Sequence, residues 1–271
     1  MSEHPPQAVL EQHEAIRSEY RLQAARWGAM DISEDLRWVV DRLPLSPLSE
    51  VVDVAAGTGL FGRAVAPAVA RVTAVDITPE MIEHGRRRSE QDGLANMVWR
   101  QGAAEELPFP DESFDLAITR FSIHHFVDPV AVLREMGRVC RAGSTIVAVD
   151  MVSDEDPALA ARQDMLEKLM DPTHTSVLSP SRLVRAGASA GLTLQEYLSR
   201  EVPMNFDRWQ AHVPADSEAR RTVRRALEAE CAGEPPTGMR PFLQEGALWF
   251  MHVWGIMLAG QRHRGRHGGI A

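Results

Sequence analysis

"VVDVAAGTGLFG", Val51–Gly62, is an apolar run that breaks into glycines at 57, 59 and 62. Its β-branched start reads as a buried strand, and the glycines let the backbone turn sharply before a helix whose first N–H groups lack partners. That corner is a ready anion- or ligand-binding site in α/β proteins. The strand pattern returns in "RVTAVDI", 71–77. Thr78, as cap, and Pro79 then open a helix that runs to about Asp92. Strand, helix, strand, helix implies parallel strands with helices on both faces.

The alternation continues outward. "MVWRQGA" (97–103) and "FDLAITR" (114–120) read as strands separated by the breaker loop "EELPFPDES". "PVAVLREMGRVCRAG" (129–143) reads as a helix ending at Gly143 as C′ residue, and "STIVAVDMV" (144–152) as a fifth strand. Helices at 156–170 and 180–192, a sixth strand at 193–206, helices at 206–213 and 217–230, and a long antiparallel last strand within 246–260 complete the pattern. Before the first strand, residues 7–43 read as helical, with Ser33 as an N-cap. The expected division is an N-terminal helical cap (1–45), a ligand-binding core (46–152), a third segment (153–262) and a disordered tail (263–271). The third segment should carry a lid helix, the rest of the sheet and the acceptor-pocket elements.

Composition narrows the function classes. The 271 residues are 44% hydrophobic with net charge −9, a balance that argues against nucleic acid as a partner. No apolar stretch suits a membrane span and the N-terminus lacks a signal core, so a cytoplasmic protein with no membrane partner is expected. Cys140 and Cys231 lie far apart and outside any Cys/His cluster, so neither a disulfide framework nor a metal site is expected.

The glycine corner admits two ligands. Gly57-x-Gly59-x-x-Gly62 followed by Asp76 matches a dinucleotide fingerprint. Asp53, four positions before Gly57, points instead to S-adenosylmethionine, because a carboxylate there can meet the cationic ammonium of the methionine moiety, directly or through water. Asp76 would take ribose hydroxyls in either case.

Four stretches decide between them: "VVDVAAGTG", "VTAVDITPEMI", "RQGAAEELPFPDESFDLAITRFSIHHFVDP" and "LREMGRVCRAGSTIVAVD". Together they resemble class I S-adenosylmethionine-dependent methyltransferases of the ubiquinone/menaquinone-biosynthesis-like small-molecule branch. "LEKLMDPTHTSVLS" extends the likeness to about Ser179. The resemblance implies a doubly wound, Rossmann-like α/β fold with seven strands, mostly parallel, the last antiparallel, plus N-terminal helices and a helical lid. It implies S-adenosylmethionine as cofactor, with Asp53, Gly57 and Gly59 around its methionine end and Asp76 on the ribose. Ile77 would lie against the adenine face beside Met81, with Ala103 and Ala104 at the adenine edge. Arg120 would face the cofactor, and Tyr20 would cover it. The sequence departs from the pattern at Ala103, where an acid is usual; at Ala55, which replaces the first loop glycine and is tolerable at negative φ; and at Ala142-Gly143-Ser144, where Pro-Gly-Gly is usual.

Methyl transfer is an in-line displacement at an activated carbon, so alignment and exclusion of water matter most, and a base helps only for hydroxyl acceptors. His124 and His125, at the carboxyl edge of the fourth strand, and His174, in the lid, are the candidate catalytic residues. Trp27, Met30 and Trp249 are candidates for an apolar acceptor pocket. The expected reaction is methylation of an O or C atom of a small, largely apolar metabolite. The alternative is a methyltransferase-fold cyclase or cycloaddition enzyme that binds the cofactor without methyl transfer.

Overall fold

The structure is a computed structural model that describes residues 6–28, 33–210 and 216–261. The tail from 262 on, the whole of Met30 and the side chain of Trp27 lie outside the described residues. Helices α1 (Gln7–Gly28) and α2 (Glu34–Val40) precede the sheet, and the Ser33 hydroxyl accepts from the Leu36 amide as an N-cap should. The glycine corner joins β1 (Glu50–Val54) to α3 (Leu60–Val65). Then come β2 (Arg71–Asp76), α4 (Pro79–Gln91), β3 (Met97–Gln101), β4 (Phe114–Arg120), α5 (Pro129–Val139) and β5 (Cys140–Met151). The remainder is α6 (Pro157–Met170), α7 (Pro180–Ser189), β6 (Leu192–Asn205), α8 (Phe206–Trp209), α9 (Glu218–Cys231), β7 (Phe242–Gln244) and β8 (Ala247–Gln261).

The strands form one sheet in the order β3-β2-β1-β4-β5-β8-β6, parallel except for β8, which is antiparallel to both neighbours. Among the described residues these are the seven strands expected, with one short strand added. The extra one, β7, is a three-residue hairpin partner of β8 whose brevity left no period to read. Strand order reverses between β1 and β4, so their carboxyl ends open the crevice where such folds bind ligands. Two apolar clusters fill the faces. Leu36, Phe61 and Val65 lie over Val51, Val72 and Leu116 on one side, and Leu133, Met136 and Leu183 over Val52, Ala117 and Ile146 on the other.

Three local expectations give way. Helix α5 stops at Val139 rather than at Gly143, because β5 already pairs at Cys140; Gly143, at φ +85°, sits where the β4–β5 register shifts. Thr78 occupies the cap of α4, yet its hydroxyl makes no capping bond; the Asp76 carboxylate receives the Thr78 amide instead. Ala55 adopts φ +52°, the left-handed region, so it sits there at a cost of about 1–2 kcal/mol.

The glycines have separate jobs. Gly57 and Gly59 both have positive φ, and a Cβ on Gly59 would stand 2.5 Å from the Trp99 ring. Gly85 of α4 meets the same ring, so Trp99 is wedged beneath the corner. Gly59→Ala should therefore lower the free energy of unfolding by about 2–4 kcal/mol, from backbone strain plus overpacking. Urea denaturation measures it, and a loss below 0.5 kcal/mol, taken as roughly zero, would refute the wedge. Among the described residues, no helix is long and apolar enough to cross a membrane.

Candidate active site

A cavity opens at the carboxyl ends of β1, β2 and β4. Its floor is the corner loop, including Ala55, Gly57 and Thr58, and its far wall is Asp76, Ile77 and Met81. Both Asp76 oxygens are taken by backbone amides, Gly57 N–H at 2.7 Å and Thr78 N–H at 2.8 Å, which fasten the loop to the end of β2. Burial raises the Asp76 carboxyl above its ordinary value, and those amides oppose the rise. Gly102 and Ala104 line the side nearest β3.

Helix α1 closes the cavity. Gln12, Ile16 and Tyr20, spaced four apart on one helical face, line it together with His13. The Gln12 amide donates to the carbonyls of His125 and Thr173, at 2.9 and 2.6 Å, and His13 pairs with Glu105 at 3.1 Å. Of this face only Tyr20 was singled out from the sequence, although the spacing in "QHEAIRSEY" was visible.

The sequence candidates divide. Tyr20, Ala55, Gly57, Asp76, Ile77, Met81, Ala104, Arg120 and His125 line the cavity; Asp53, Gly59, Ala103, His124, His174 and Trp249 do not. Asp53 lies on the α3 side of β1, where its carboxylate accepts from the Gly62 amide at 2.8 Å. A direct contact with a ligand's ammonium is therefore not what its geometry offers. Burial pushes the Asp53 carboxyl up to about 7, with the Gly62 bond and Arg120 opposing. Trp249 points to the other side of β8, stacked on Phe242 at 6.5 Å, because strand side chains alternate.

Arg120 ends β4 with its guanidinium over Phe121 at 4.1 Å and Trp254 at 5.1 Å. Among the described residues its Nε is buried without a hydrogen-bond partner. Burial lowers its pKa to about 10 against the pull of Asp150 and Asp53, so it remains a cation at neutral pH. Phe121, which no pattern in the sequence singles out, holds φ +52° while its amide donates to the Val149 carbonyl at 2.8 Å. Such strain in an aromatic residue beside a cavity marks a position held for its side chain.

The three histidines form a stack with different states. His124 and His125 have ring centroids 4.1 Å apart, and His124 and His174 5.5 Å. Burial works against a charge on His124, but the Asp150 carboxylate at 2.6 Å raises its pKa. His125 is lowered to about 4 by burial and by the charge of His124. Its Nε2 lies 2.9 Å from the Tyr20 hydroxyl, which donates to Asp171 Oδ2 at 3.0 Å, and its Nδ1 is 3.2 Å from the Thr173 carbonyl. Burial and Asp171 keep Tyr20 protonated, well above its ordinary pKa. His174 is tied to Asp164 at 3.0 Å, away from the cavity. Asp150, which raises His124, and Asp171, which accepts the Tyr20 hydroxyl, were not foreseen.

Comparisons with known proteins fit this geometry. The methyltransferase domain family matches residues 52–148. The chain is 33% identical over 187 residues to the uncharacterized methyltransferase YcgJ of Bacillus subtilis, covering 68% of this chain and 74% of that one. The crystal structure of that protein superposes with a TM-score of 0.74 at 28% identity, over 84% of this chain and 97% of that chain. A ubiquinone/menaquinone biosynthesis C-methyltransferase of Geobacter is 33% identical over 169 residues, 58% of this chain and 71% of the relative.

Proposed function

The chain belongs to the class I S-adenosylmethionine-dependent methyltransferases, and on that premise we propose that it methylates an oxygen or carbon atom of a small, largely apolar metabolite. S-adenosylmethionine is its cofactor, and the residues around the cavity fit that group. The half-buried Arg120 guanidinium, with an enclosed and unpartnered Nε, suits the methionine carboxylate. Asp76 suits the ribose hydroxyls, and Ile77 and Met81 form an apolar side for adenine, with Ala104 rather than Ala103 at its edge. Gly57 leaves room for close approach. Asp53 and Gly59 act behind the loop, as positioning residues.

When bound, the cofactor supplies a methyl group made electrophilic by its sulfonium. The protein's share is alignment, a dry site and a place for the acceptor's proton. Helix α1 excludes water by spanning the cavity through Gln12 and Tyr20. For the proton, one observation carries the reading: of the three candidate histidines only His125 lines the cavity. With its Nδ1–H on the Thr173 carbonyl, the neutral ring keeps the Nε2 lone pair to take up a proton from an acceptor hydroxyl that enters beside Tyr20, whose own O–H stays on Asp171. His124 holds the stack in place as the ionic partner of Asp150, and His174 braces the lid segment through Asp164.

The apolar lining, with Ile16, Leu60 and Phe126, favours an apolar acceptor. The Geobacter relative is named as a C-methyltransferase of quinone biosynthesis, which supports carbon as well as oxygen. The relatives named above are methyltransferases, so cyclisation is not favoured.

His125→Ala should lower kcat by about a hundredfold with cofactor affinity nearly unchanged. Because His125 is held at about 4, it gains a proton only in acid; the wild-type rate should lack the limb near pH 6.5 that an ordinary histidine gives. Steady-state rates from pH 5 to 9, taken here as roughly the working range of a histidine base, check both. A variant as fast as wild type throughout would remove His125 from the reaction.

A further inference from the structure

The cavity wall carries a carboxylate with no part in the methyl transfer. Glu105 lines the cavity beside Gly102 and Ala104, its side chain only 16% exposed. A carboxylate has two oxygens and room for about four donors. His13 from α1 meets one of them, Oε2, at 3.1 Å, and among the described residues no other hydrogen bond holds the side chain. An enclosed carboxylate left with a free oxygen costs stability until a donor comes to it.

Local structure explains why this acid faces the site. β3 ends at Gln101, the Gly102 amide donates to the Asp76 carbonyl at 3.0 Å, and the chain then folds back in a tight turn closed by the bridge between Ala103 and Glu106. The two bridged residues lie off the cavity, while the two at the tip, Ala104 and Glu105, line it. The acid usual at 103 is thus absent, and another stands two positions on. His13 reaches it from the stretch of α1 that also supplies Gln12, Ile16 and Tyr20 to the cavity. The pair joins the covering helix to the β3 loop.

We propose that Glu105, steadied by His13, receives the amino group of the cofactor's adenine, and that it is the residue by which this chain tells an adenosyl ligand from its deaminated, inosyl counterpart. The proposal rests on the cofactor reading, in which Asp76 holds the ribose and Ile77 and Met81 flank the base, so that the outer edge of the base turns to the β3 loop. A carboxylate only accepts, so His13 donates through Nε2–H to Oε2 and leaves Oε1 for the amino group. The inosyl base has an oxygen in the same place. Two acceptors facing each other in an enclosed wall leave both unpaired, and a site built to bind an N–H rejects the analogue that lacks it.

Calorimetry on the full-length protein with S-adenosylhomocysteine and S-inosylhomocysteine tests this without turnover. Wild type should bind the adenosyl ligand more tightly by about thirtyfold or more. In Glu105→Gln the side-chain amide can turn its NH2 to the inosyl oxygen. The adenosyl affinity should then fall about tenfold while the inosyl affinity rises, two shifts of opposite sign that misfolding does not produce. His13→Leu should shrink the preference without strengthening the inosyl ligand, because the acid remains. If Glu105→Gln does not fold, the wild-type preference and its reduction in His13→Leu carry the test. A pair that only latches α1 to the loop would weaken both ligands alike in either variant. That result, or equal affinities in wild type, overturns the proposal and leaves the cofactor reading standing. Wild type that binds neither ligand overturns the cofactor reading itself.

Discussion

Replacing Arg120 with leucine should weaken S-adenosylhomocysteine binding by about a hundredfold, roughly 2.7 kcal/mol, and leave the ligand-free protein no less stable. The guanidinium is a half-buried cation on the cavity wall with an enclosed, unpartnered Nε, and burial pulls its pKa down to about 10. Its two stacked rings and two carboxylates at a distance do not replace the hydrogen bonds it had in water. In the ligand-free protein it therefore contributes little to stability, whereas a carboxylate delivered into the cavity would give it a charge-assisted partner. Arg120→Lys should recover only part of the loss, because an ammonium on a shorter stem cannot match the planar fork. Calorimetry at fixed ionic strength reads the affinity, and thermal unfolding reads the stability. An affinity within threefold of wild type in Arg120→Leu, taken as roughly no effect, would end the assignment of Arg120 to the cofactor carboxylate.

The second large effect is on stability against pH. Asp53 holds its proton up to about 7 in the folded protein, against 3.8 for a free side chain. The folded pKa is raised, so between those values the folded state binds more protons than the unfolded state, and stability falls as pH rises through that window. Above about pH 7 the loss is complete, at most about 4 kcal/mol. Asp53→Asn keeps an oxygen for the Gly62 amide and removes the ionisation. Its stability relative to wild type should therefore grow steadily from pH 4 to pH 7 and level off above, a range set by the two pKa values. Urea midpoints across that range measure it; parallel curves for the two proteins would show that Asp53 ionises as an exposed carboxylate does.

How far the sequence carried can be seen at these residues. Asp76 was legible because strand period and the glycine corner fix where the β1 and β2 termini lie, and the fold delivers those termini to one edge; the place of Arg120 came from the family resemblance. What the period could not give was which way a carboxylate turns. Asp53 faces α3 because its side of β1 is the side of Val51, and only the sheet's handedness and the helix above it settle that. Trp249 failed for the same reason: an aromatic-rich strand shows its period, but not which of its two faces meets the site. His124 and His125 are adjacent in sequence and shifted in opposite directions, because Asp150 arrives from β5 to raise His124, while burial and the charge of His124 lower His125. Those are long-range contacts that local pattern does not encode. The helix end at Val139 was missed because β5 begins pairing with no intervening turn.

The left-handed Ala55 has a consequence for how this loop is held ready. Glycine would occupy that angle without strain, but it would also free one more position of the denatured chain, whose lost entropy opposes folding by about 0.4–1 kcal/mol. The two effects run against each other, so the entropy offsets part of the strain. The methyl group of Ala55 thus narrows the wanderings of the loop before folding begins, so that an alanine can stand first in a corner whose other left-handed positions, 57 and 59, are glycine.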